Sequence, residues 1–206
     1  MDHEGFQLFP GALSEQAQAD LVHEVLAATE VAPFFRPMTP GGKPMSVEMT
    51  SLGPLGWITD KAGYRYEATH PQTGQPWPPM PAMLLDVWRR YATEAVFPDA
   101  CLVNLYRDGA RMGMHQDKDE ADFSVPVLSV SLGDTAMFRI GGTSRRDPTR
   151  SIRLSSGDVC LLSGQARLAY HGIDRVLTGS SRLVPGGGRI NLTLRRAAAW
   201  AGSARG

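Results

Sequence analysis

The stretch Arg189-Ile190-Asn191-Leu192-Thr193-Leu194-Arg195 alternates strictly between polar and apolar side chains. A period of two is typical of a β-strand, because successive side chains leave opposite faces of the strand. The pattern therefore predicts a strand with aliphatic residues on one face and polar residues on the other. A strand at a solvent-exposed sheet edge and a strand that lines a polar cavity both fit this pattern.

Further short strands are predicted along the second half of the chain, where glycine and aspartate turns separate apolar segments. The candidates are Cys101–Tyr106, Gly113–Asp117, Pro126–Leu132, Ala136–Ile140, Ser151–Leu154, Asp158–Leu162, Ala169–His171 and Arg189–Arg195. Short strands with glycine-rich turns are typical of a jelly-roll barrel. The sequence thus predicts that the quoted stretch is one strand of such a barrel.

Two helices are predicted before these strands. Ser14 fits the N-cap of the first helix, because apolar residues follow it at helical spacing. Pro81 fits the start of the second helix, and Pro98 is expected to end it. Both helices have an apolar side, which predicts that they pack on the outside of the core.

The segment between these helices is rich in glycine and proline, and its aromatic residues Trp57, Tyr64 and Tyr66 are expected on loops. Aromatic residues in such a region have two interpretations. They can plug the hydrophobic core, or they can form a lid that stacks on a planar ligand such as an unpaired base. Composition alone does not separate the two.

His115 and Asp117 are the candidates for a metal site. They lie two residues apart, so both side chains leave the same face if the segment is extended. His171 is the only histidine further along the chain, and it would complete the two-histidine, one-carboxylate facial triad of non-haem iron(II). A His-x-Asp pair by itself is more often a pair of surface polar residues.

Side chains that suit a small dicarboxylate accompany this candidate site. Asn104 and Tyr106 share one face of a predicted strand just before it, and Arg189 and Arg195 lie on the polar face of the quoted stretch. Guanidinium groups bind carboxylates through paired hydrogen bonds. Together these residues favour a cavity that binds a dicarboxylate beside a metal.

The bulk composition restricts the class of protein. A chain of 206 residues with zero formal net charge is most simply one domain, and it is not suited to tight nonspecific binding of nucleic acid. Arginines between Arg139 and Arg153 could hold phosphates or belong to a solvated loop. Cys101 and Cys160, the only cysteines, are expected to be buried free thiols in a reducing cytoplasm. No apolar run is long enough to span a bilayer, and the acidic N-terminus lacks the features of a signal peptide.

The chain resembles the AlkB family of iron(II)- and 2-oxoglutarate-dependent nucleic-acid dealkylases. The resemblance extends from Phe6 to Arg196 and covers nearly the whole chain. The residues that carry it are Asn104-Leu105-Tyr106, His115-Gln116-Asp117-Lys118-Asp119-Glu120, Ser129–Gly133, Tyr170-His171-Gly172 and Arg189–Arg195, with Gly56-Trp57 and Pro71–Pro78 upstream.

This resemblance implies a mainly β fold with flanking helices (α+β), a double-stranded β-helix or jelly roll with an N-terminal nucleotide-recognition lid. It implies a single dioxygenase domain over residues 1–206. Within that domain, the helices and the lid would occupy residues 1–100, the catalytic core residues 101–196, and a tail residues 197–206.

The activity implied by the resemblance is oxidative demethylation of N1-methyladenine and N3-methylcytosine, with release of formaldehyde, succinate and CO₂. The cofactors are iron(II), 2-oxoglutarate as cosubstrate, and O₂. By the resemblance, the iron ligands are His115, Asp117 and His171. Arg189 and Tyr106 would pair with the distal carboxylate of 2-oxoglutarate, Arg195 and Asn104 would lie near the carboxylate bound to iron, and Asn191 would support this set.

The resemblance also places Trp57, Tyr64, Asp119 and Arg145 in the substrate site. The expected partner is single-stranded or flipped-base DNA, with RNA as a second candidate, and the expected protein is a cytoplasmic monomer without membrane contact. Asp119 would also share the strand face of Asp117 and could complement a cationic methylated base. Two alternatives remain open: a 2-oxoglutarate-dependent hydroxylase of a protein or small metabolite, and a non-enzymatic cupin-like module that binds metal.

Overall fold

The computed structural model describes residues 4–199. Residues 1–3 and the end of the predicted tail, residues 200–206, lie outside the described residues. The strands are β1 (Phe6–Phe9), β2 (Glu48–Leu52), β3 (Gly56–Asp60), β4 (Gly63–Glu67), β5 (Ala100–Tyr106), β6 (Met112–His115), β7 (Val127–Gly133), β8 (Ala136–Ile140), β9 (Arg150–Leu154), β10 (Val159–Leu162), β11 (His171–Val176) and β12 (Arg189–Arg195). The helices are α1 (Glu15–Ala28), α2 (Ala82–Tyr91) and a 3₁₀ helix, Gly164–Leu168.

The strands form two antiparallel sheets and a separate hairpin. The larger sheet has the order β1-β10-β7-β12-β5-β2, the smaller sheet has the order β6-β11-β8-β9, and β3 pairs with β4. Apolar side chains from both sheets meet in one buried cluster, which includes Leu102 and Val127 of the larger sheet and Phe138 and Ile173 of the smaller one. This arrangement confirms the predicted mainly β jelly roll with flanking helices.

The strict alternation of β12 has a direct structural basis. The strand lies between β7 and β5 in the larger sheet, so it is not an edge strand. Its fully buried aliphatic residues, Ile190, Leu192 and Leu194, pack in the cluster that contains the helices. The polar face of β12 lines a cavity between the two sheets. Of the two interpretations left open by the pattern, the polar cavity is therefore correct.

Both helices cover the outer face of the larger sheet. Ser14 caps α1 as predicted, because its Oγ accepts a hydrogen bond from the Ala17 amide at 3.2 Å. Leu21 of α1 and Trp88 of α2 are fully buried in the cluster against this sheet. The prediction that α2 extends to Pro98 is wrong, because the chain turns after Tyr91 and the Val96 carbonyl accepts a hydrogen bond from Trp88 Nε1 at 2.7 Å. Neither described helix is long and apolar enough to cross a lipid bilayer.

Two strand predictions at the site are wrong. β6 ends at His115, so Asp117 and Asp119 follow the strand instead of lying on it. β11 begins at His171 and continues to Val176, whereas the sequence predicted a strand that ended at His171. The reason is the pairing of these two strands, since His115 and His171 are register partners at the end of their ladder. The segment that follows His115 pairs with no strand among the described residues, and side-chain contacts hold it in place.

The segment that was expected to be loop contains the β3–β4 hairpin. Asp60 pairs with Gly63, and the two residues between them form the turn. The Asp60 carboxylate accepts a hydrogen bond from the Ala62 amide at 2.7 Å. Gly63 has a φ of +106°, a backbone angle that residues other than glycine rarely adopt. The turn chemistry thus makes a hairpin out of a segment whose composition suggested irregular structure.

Cys101 and Cys160 are free and buried, as predicted. Burial raises the pKa of each thiol to about 12, because a thiolate would lose its hydration. Both cysteines therefore behave as small apolar residues of the core.

Candidate active site

The candidate active site lies between the two sheets, where the polar face of β12 meets the ends of β6 and β11. All eight residues predicted to hold the metal or the cosubstrate line one cavity: Asn104, Tyr106, His115, Asp117, His171, Arg189, Asn191 and Arg195. Asn104 and Tyr106 come from β5, which is the direct neighbour of β12 in the larger sheet. The structure thus brings together residues that span much of the chain.

His115, Asp117 and His171 form a group that could hold a metal ion. Each offers one ligand atom, and these atoms all lie within 4.8 Å of one another. The Nε2 atom of His115 is 3.7 Å from Asp117 Oδ1, and the Nε2 atom of His171 is 3.7 Å from Asp117 Oδ2. Asp117 reaches this position from the segment after β6, without the extended strand that the sequence predicted.

Hydrogen bonds fix the tautomer of both histidines. The Nδ1 atom of His115 lies 2.9 Å from the Gly113 carbonyl oxygen, and the Nδ1 atom of His171 lies 2.9 Å from the Ala169 carbonyl oxygen. A carbonyl can only accept, so Nδ1 carries the proton in each ring and the lone pair of Nε2 is free for a metal. Backbone geometry thus orients both rings before any metal binds.

Asp117 has one oxygen engaged and one free. Its Oδ1 accepts a hydrogen bond from Arg195 Nη2 at 2.7 Å, whereas its buried Oδ2 has no hydrogen-bond partner among the described residues. Burial raises the pKa of Asp117, but Arg195 and the two histidines outweigh burial and hold that pKa below its usual range. Burial, with His115, lowers the pKa of His171 to about 4. Both side chains are therefore in the protonation state that binds metal at neutral pH.

Arg189 lies deeper in the same cavity and is fully buried. Its Nη2 donates to Asn191 Oδ1 at 2.8 Å, and Ser129 Oγ donates to the same oxygen at 2.8 Å. The Nε and Nη1 atoms of Arg189 have no hydrogen-bond partner among the described residues, and burial lowers its pKa. A buried guanidinium with two unpaired donors is costly unless an anion pairs with it. The donor set therefore fits a carboxylate.

The remaining predicted residues, Trp57, Tyr64, Asp119 and Arg145, line a second, more open cavity. Trp57 and Tyr64 stack with ring centroids 5.5 Å apart and an interplanar angle of 20°. The Arg145 guanidinium lies over the Tyr170 ring at 4.9 Å. His115, Asp117 and Arg195 line both cavities, so two of the three metal candidates contribute to the wall between them.

Asp119 reaches this second cavity by a route that differs from the prediction. It does not continue a strand, because β6 ends at His115. Its carboxylate instead accepts a hydrogen bond from Trp57 Nε1 at 2.8 Å. The hairpin therefore contacts the segment that carries Asp117.

Three residues of the site were missed in the sequence. Tyr66, Glu120 and Arg167 form a buried network behind Asp117. Arg167 had a detectable signal, since it is a single charge in the mostly apolar segment that precedes His171. Glu120 looked like part of a solvated acidic run, and Tyr66 was placed on a loop.

Comparisons with known proteins agree with this geometry. The pattern of the 2OG-Fe(II) oxygenase superfamily matches residues 5–195. The alpha-ketoglutarate-dependent dioxygenase AlkB homolog of Caulobacter vibrioides is 66% identical over 193 residues, which cover 94% of this chain and 88% of that protein. The alpha-ketoglutarate-dependent dioxygenase AlkB of Escherichia coli is 44% identical over 185 residues, which cover 88% of this chain and 85% of that protein.

A solved structure gives the same result at the level of the fold. OsALKBH1 matches with a TM-score of 0.75 and 30% sequence identity, over 93% of this chain and 97% of that chain. The family pattern, the sequence relatives and the solved structure each match most of this chain. The chain belongs to the AlkB family of the 2OG-Fe(II) oxygenase superfamily.

Proposed function

We propose that this chain, a 2-oxoglutarate-dependent non-haem iron dioxygenase by its family, repairs alkylated DNA by oxidative demethylation of N1-methyladenine and N3-methylcytosine. The observation that carries the proposal is the wall shared by two cavities. One cavity holds a buried arginine without a partner anion, and the other has stacked aromatic side chains at its mouth. A cosubstrate on one side of the metal and a base on the other would meet at His115 and Asp117.

The metal ligands in this proposal are Nε2 of His115, Oδ2 of Asp117 and Nε2 of His171, which are the atoms left free by their hydrogen bonds. These donors suit iron(II), which accepts two imidazoles and one carboxylate on one face. Bound iron(II), with 2-oxoglutarate and O₂, supplies an oxidation that hydroxylates an N-methyl group and yields succinate and CO₂. The hydroxymethyl group then leaves the base nitrogen as formaldehyde.

The proposed roles in binding 2-oxoglutarate depend on where each side chain lies in the first cavity. Arg189 would pair with the distal carboxylate of 2-oxoglutarate, and Tyr106, its register partner on β5, would donate a second hydrogen bond. Arg195 and Asn104 would lie beside the carboxylate at the metal, and Asn191 would orient Arg189 through the bond that they share. Burial raises the pKa of Tyr106 to about 12, so its hydroxyl stays protonated and can donate.

The second cavity would receive the base. A base in a duplex cannot reach a metal between two sheets, so the substrate would be single-stranded or flipped out. Trp57 and Tyr64 would stack on the base, Asp119 would complement the positive charge of its methylated ring, and Arg145, which is exposed at the rim, would contact the strand. RNA offers the same bases and is a second possible substrate.

The wider assignment is part of the same proposal. The chain would act as a single domain and as a monomer, because the two cavities and all the proposed roles lie within one chain. Two free, buried cysteines fit a reducing compartment such as the cytoplasm.

The alternative substrates would use the site differently. A hydroxylase of a protein or small metabolite would need the triad and Arg189, but not the stacked aromatics and Arg145 at the second cavity. Turnover on methylated oligonucleotides compared with turnover on peptides separates these functions. A non-enzymatic cupin-like module would bind metal and form no succinate.

We predict formaldehyde release from an oligonucleotide that contains 1-methyladenine, and only when 2-oxoglutarate is present. His115→Ala, Asp117→Ala and His171→Ala should each reduce release to background, because each removes one metal ligand. His23→Ala, an exposed histidine on α1, is the matched control and should keep full activity. Appreciable succinate formation by any of the three variants, with iron and ascorbate supplied, would contradict the triad.

Arg189→Met separates ligand binding from stability. Because an unsatisfied buried donor costs about 1–3 kcal/mol, the ligand-free variant should be at least as stable to urea as the wild type. Loss of a buried guanidinium–carboxylate pair costs ~3 kcal/mol, so the 2-oxoglutarate requirement should rise roughly a hundredfold. Arg182→Met, at an exposed arginine, should change neither quantity. An unchanged 2-oxoglutarate requirement in Arg189→Met would place the cosubstrate elsewhere.

Asp119→Asn tests the charge in the base pocket. The amide oxygen can still accept the hydrogen bond from Trp57, so the variant removes the charge and little else. We expect rates on cationic 1-methyladenine and 3-methylcytosine to fall roughly tenfold more than rates on neutral 1-methylguanine and 3-methylthymine. Asp122→Asn, in the same acidic run, should show no such selectivity. Equal losses on all four bases, or no loss, would remove Asp119 from the base pocket.

A further inference from the structure

A cluster of buried charges lies directly behind the metal carboxylate. Arg195 of β12 donates to Asp117, as described above, and its Nε lies 3.5 Å from Glu120 Oε1. Arg167, from the 3₁₀ helix, donates from Nη2 to Glu120 Oε2 at 3.0 Å. The side chains of Glu120 and Arg167 are almost completely buried. Two arginines and two carboxylates thus balance in charge, and the Glu120 carboxylate lies between the two guanidinium groups.

Arg167 anchors this cluster to the backbone. Its Nη1 donates to the Asp117 carbonyl oxygen at 2.6 Å, and its Nε donates to the Val125 carbonyl oxygen at 2.9 Å. One guanidinium therefore spans the two ends of the segment between β6 and β7. That segment carries both Asp117 and Glu120, so Arg167 fixes their separation where no strand pairing does.

The hairpin contacts the same segment through two neighbouring side chains. Trp57 and Tyr66 are register partners on β3 and β4, so they lie side by side on one face of the hairpin. Trp57 donates to Asp119, and the Tyr66 hydroxyl donates to Glu120 Oε1 at 2.5 Å. The hairpin thus rests on two consecutive acids, one in the base pocket and one in the buried cluster.

A continuous chain of contacts follows from these distances. The hairpin binds Glu120 through Tyr66, and Glu120 forms an ion pair with Arg195 at 3.5 Å. The Tyr66 hydroxyl also accepts a hydrogen bond from Arg195 Nη1 at 3.4 Å, and Arg195 in turn donates to Oδ1 of Asp117. The last contact decides which oxygen of Asp117 faces the metal. A shift of the hairpin on its acids would therefore change the orientation of Asp117.

We propose that Glu120 is a positioning residue that couples the position of the β3–β4 hairpin to the orientation of the metal ligand Asp117, with Arg167 as its anchor. This role rests on the proposed function, because the ligand that would hold the hairpin in position is the methylated base. Through this coupling, binding of the base and binding of the metal with 2-oxoglutarate favour each other. Because coupling between sites is reciprocal, either ligand should tighten the other by the same factor.

The test measures this factor without turnover. The affinity of a labelled oligonucleotide with one 1-methyladenine is measured by fluorescence anisotropy, in the absence of O₂, with and without Mn²⁺ and 2-oxoglutarate. We expect a roughly tenfold ratio in the wild type, as one hydrogen bond to a charged group can supply. Tyr66→Phe removes the hydroxyl that donates to Glu120 and accepts from Arg195 Nη1, so it breaks both links between the hairpin and the buried charges and should bring the ratio close to one.

Tyr91→Phe is the matched control, since it is the same substitution at a half-buried tyrosine of α2 that lines neither cavity. Its ratio should stay at the wild-type value. A Tyr66→Phe ratio equal to that of the wild type, or a wild-type ratio of one, would overturn the proposal. If the wild type binds the methylated oligonucleotide no better than the unmethylated one, the proposed function fails instead.

A second measurement needs no nucleic acid. Glu120→Gln leaves Arg195 without its second carboxylate, so the affinity for Mn²⁺ in the presence of 2-oxoglutarate should fall roughly tenfold, because a buried ion pair that helps to hold Arg195 against Asp117 is lost. Thermal unfolding of each variant confirms that the fold is intact, and Tyr66→Phe covers the case in which Glu120→Gln does not fold. An unchanged Mn²⁺ affinity in folded Glu120→Gln would contradict the positioning role.

Discussion

The hydrogen bond from Arg195 to Oδ1 of Asp117 is the contact on which the rest of the site depends. It occupies one carboxylate oxygen at 2.7 Å and leaves the other, Oδ2, 3.7 Å from Nε2 of His171 and without a hydrogen-bond partner among the described residues. Without this hydrogen bond, both carboxylate oxygens of Asp117 would be available to the same metal. The buried negative charge would also lack an arginine partner to offset the cost of its desolvation. The larger sheet supplies this arginine from a central strand, so the site is tied to the most buried part of the fold.

The alternation of β12 assigns different tasks to its two faces. The aliphatic face joins the sheet to α1 and α2, while the polar face supplies Arg189 and Arg195 to the cavity. The two arginines are in different electrostatic situations. Arg195 is paired with carboxylates, and its pKa is raised well above the usual value despite burial, whereas burial lowers the pKa of Arg189. An acidic ligand would correct this imbalance at Arg189, which is the physical reason for proposing that residue as the partner of the cosubstrate.

The sequence predicted those parts of the site that depend on local pattern. The bounds of β12 and the shared face of its polar residues follow from alternation, and the Ser14 cap follows from helical spacing. Sequence could not show that β6 ends at His115, because the end depends on pairing with β11 far along the chain. His115, Asp117 and His171 still come together, because hydrogen bonds from Arg167 and Arg195 position Asp117 where no strand does.

The network around Glu120 was invisible for a similar reason. Its partners come from β4, from β12 and from the 3₁₀ helix, and no local pattern connects these segments. An acid in the run Asp117-Lys118-Asp119-Glu120 looks solvated until the fold brings two arginines to it. The hairpin was also hidden, because glycine and proline content suggested irregular structure while the turn at Asp60–Gly63 specified a strand pair.

Anomalous diffraction from crystals grown with Mn²⁺ and 2-oxoglutarate tests the central claim most directly. The account predicts one metal peak bonded to Nε2 of His115, Oδ2 of Asp117 and Nε2 of His171, with Arg195 still on Oδ1 of Asp117. A peak bonded to Nδ1 of either histidine, or to Asp119 in place of Asp117, would contradict it.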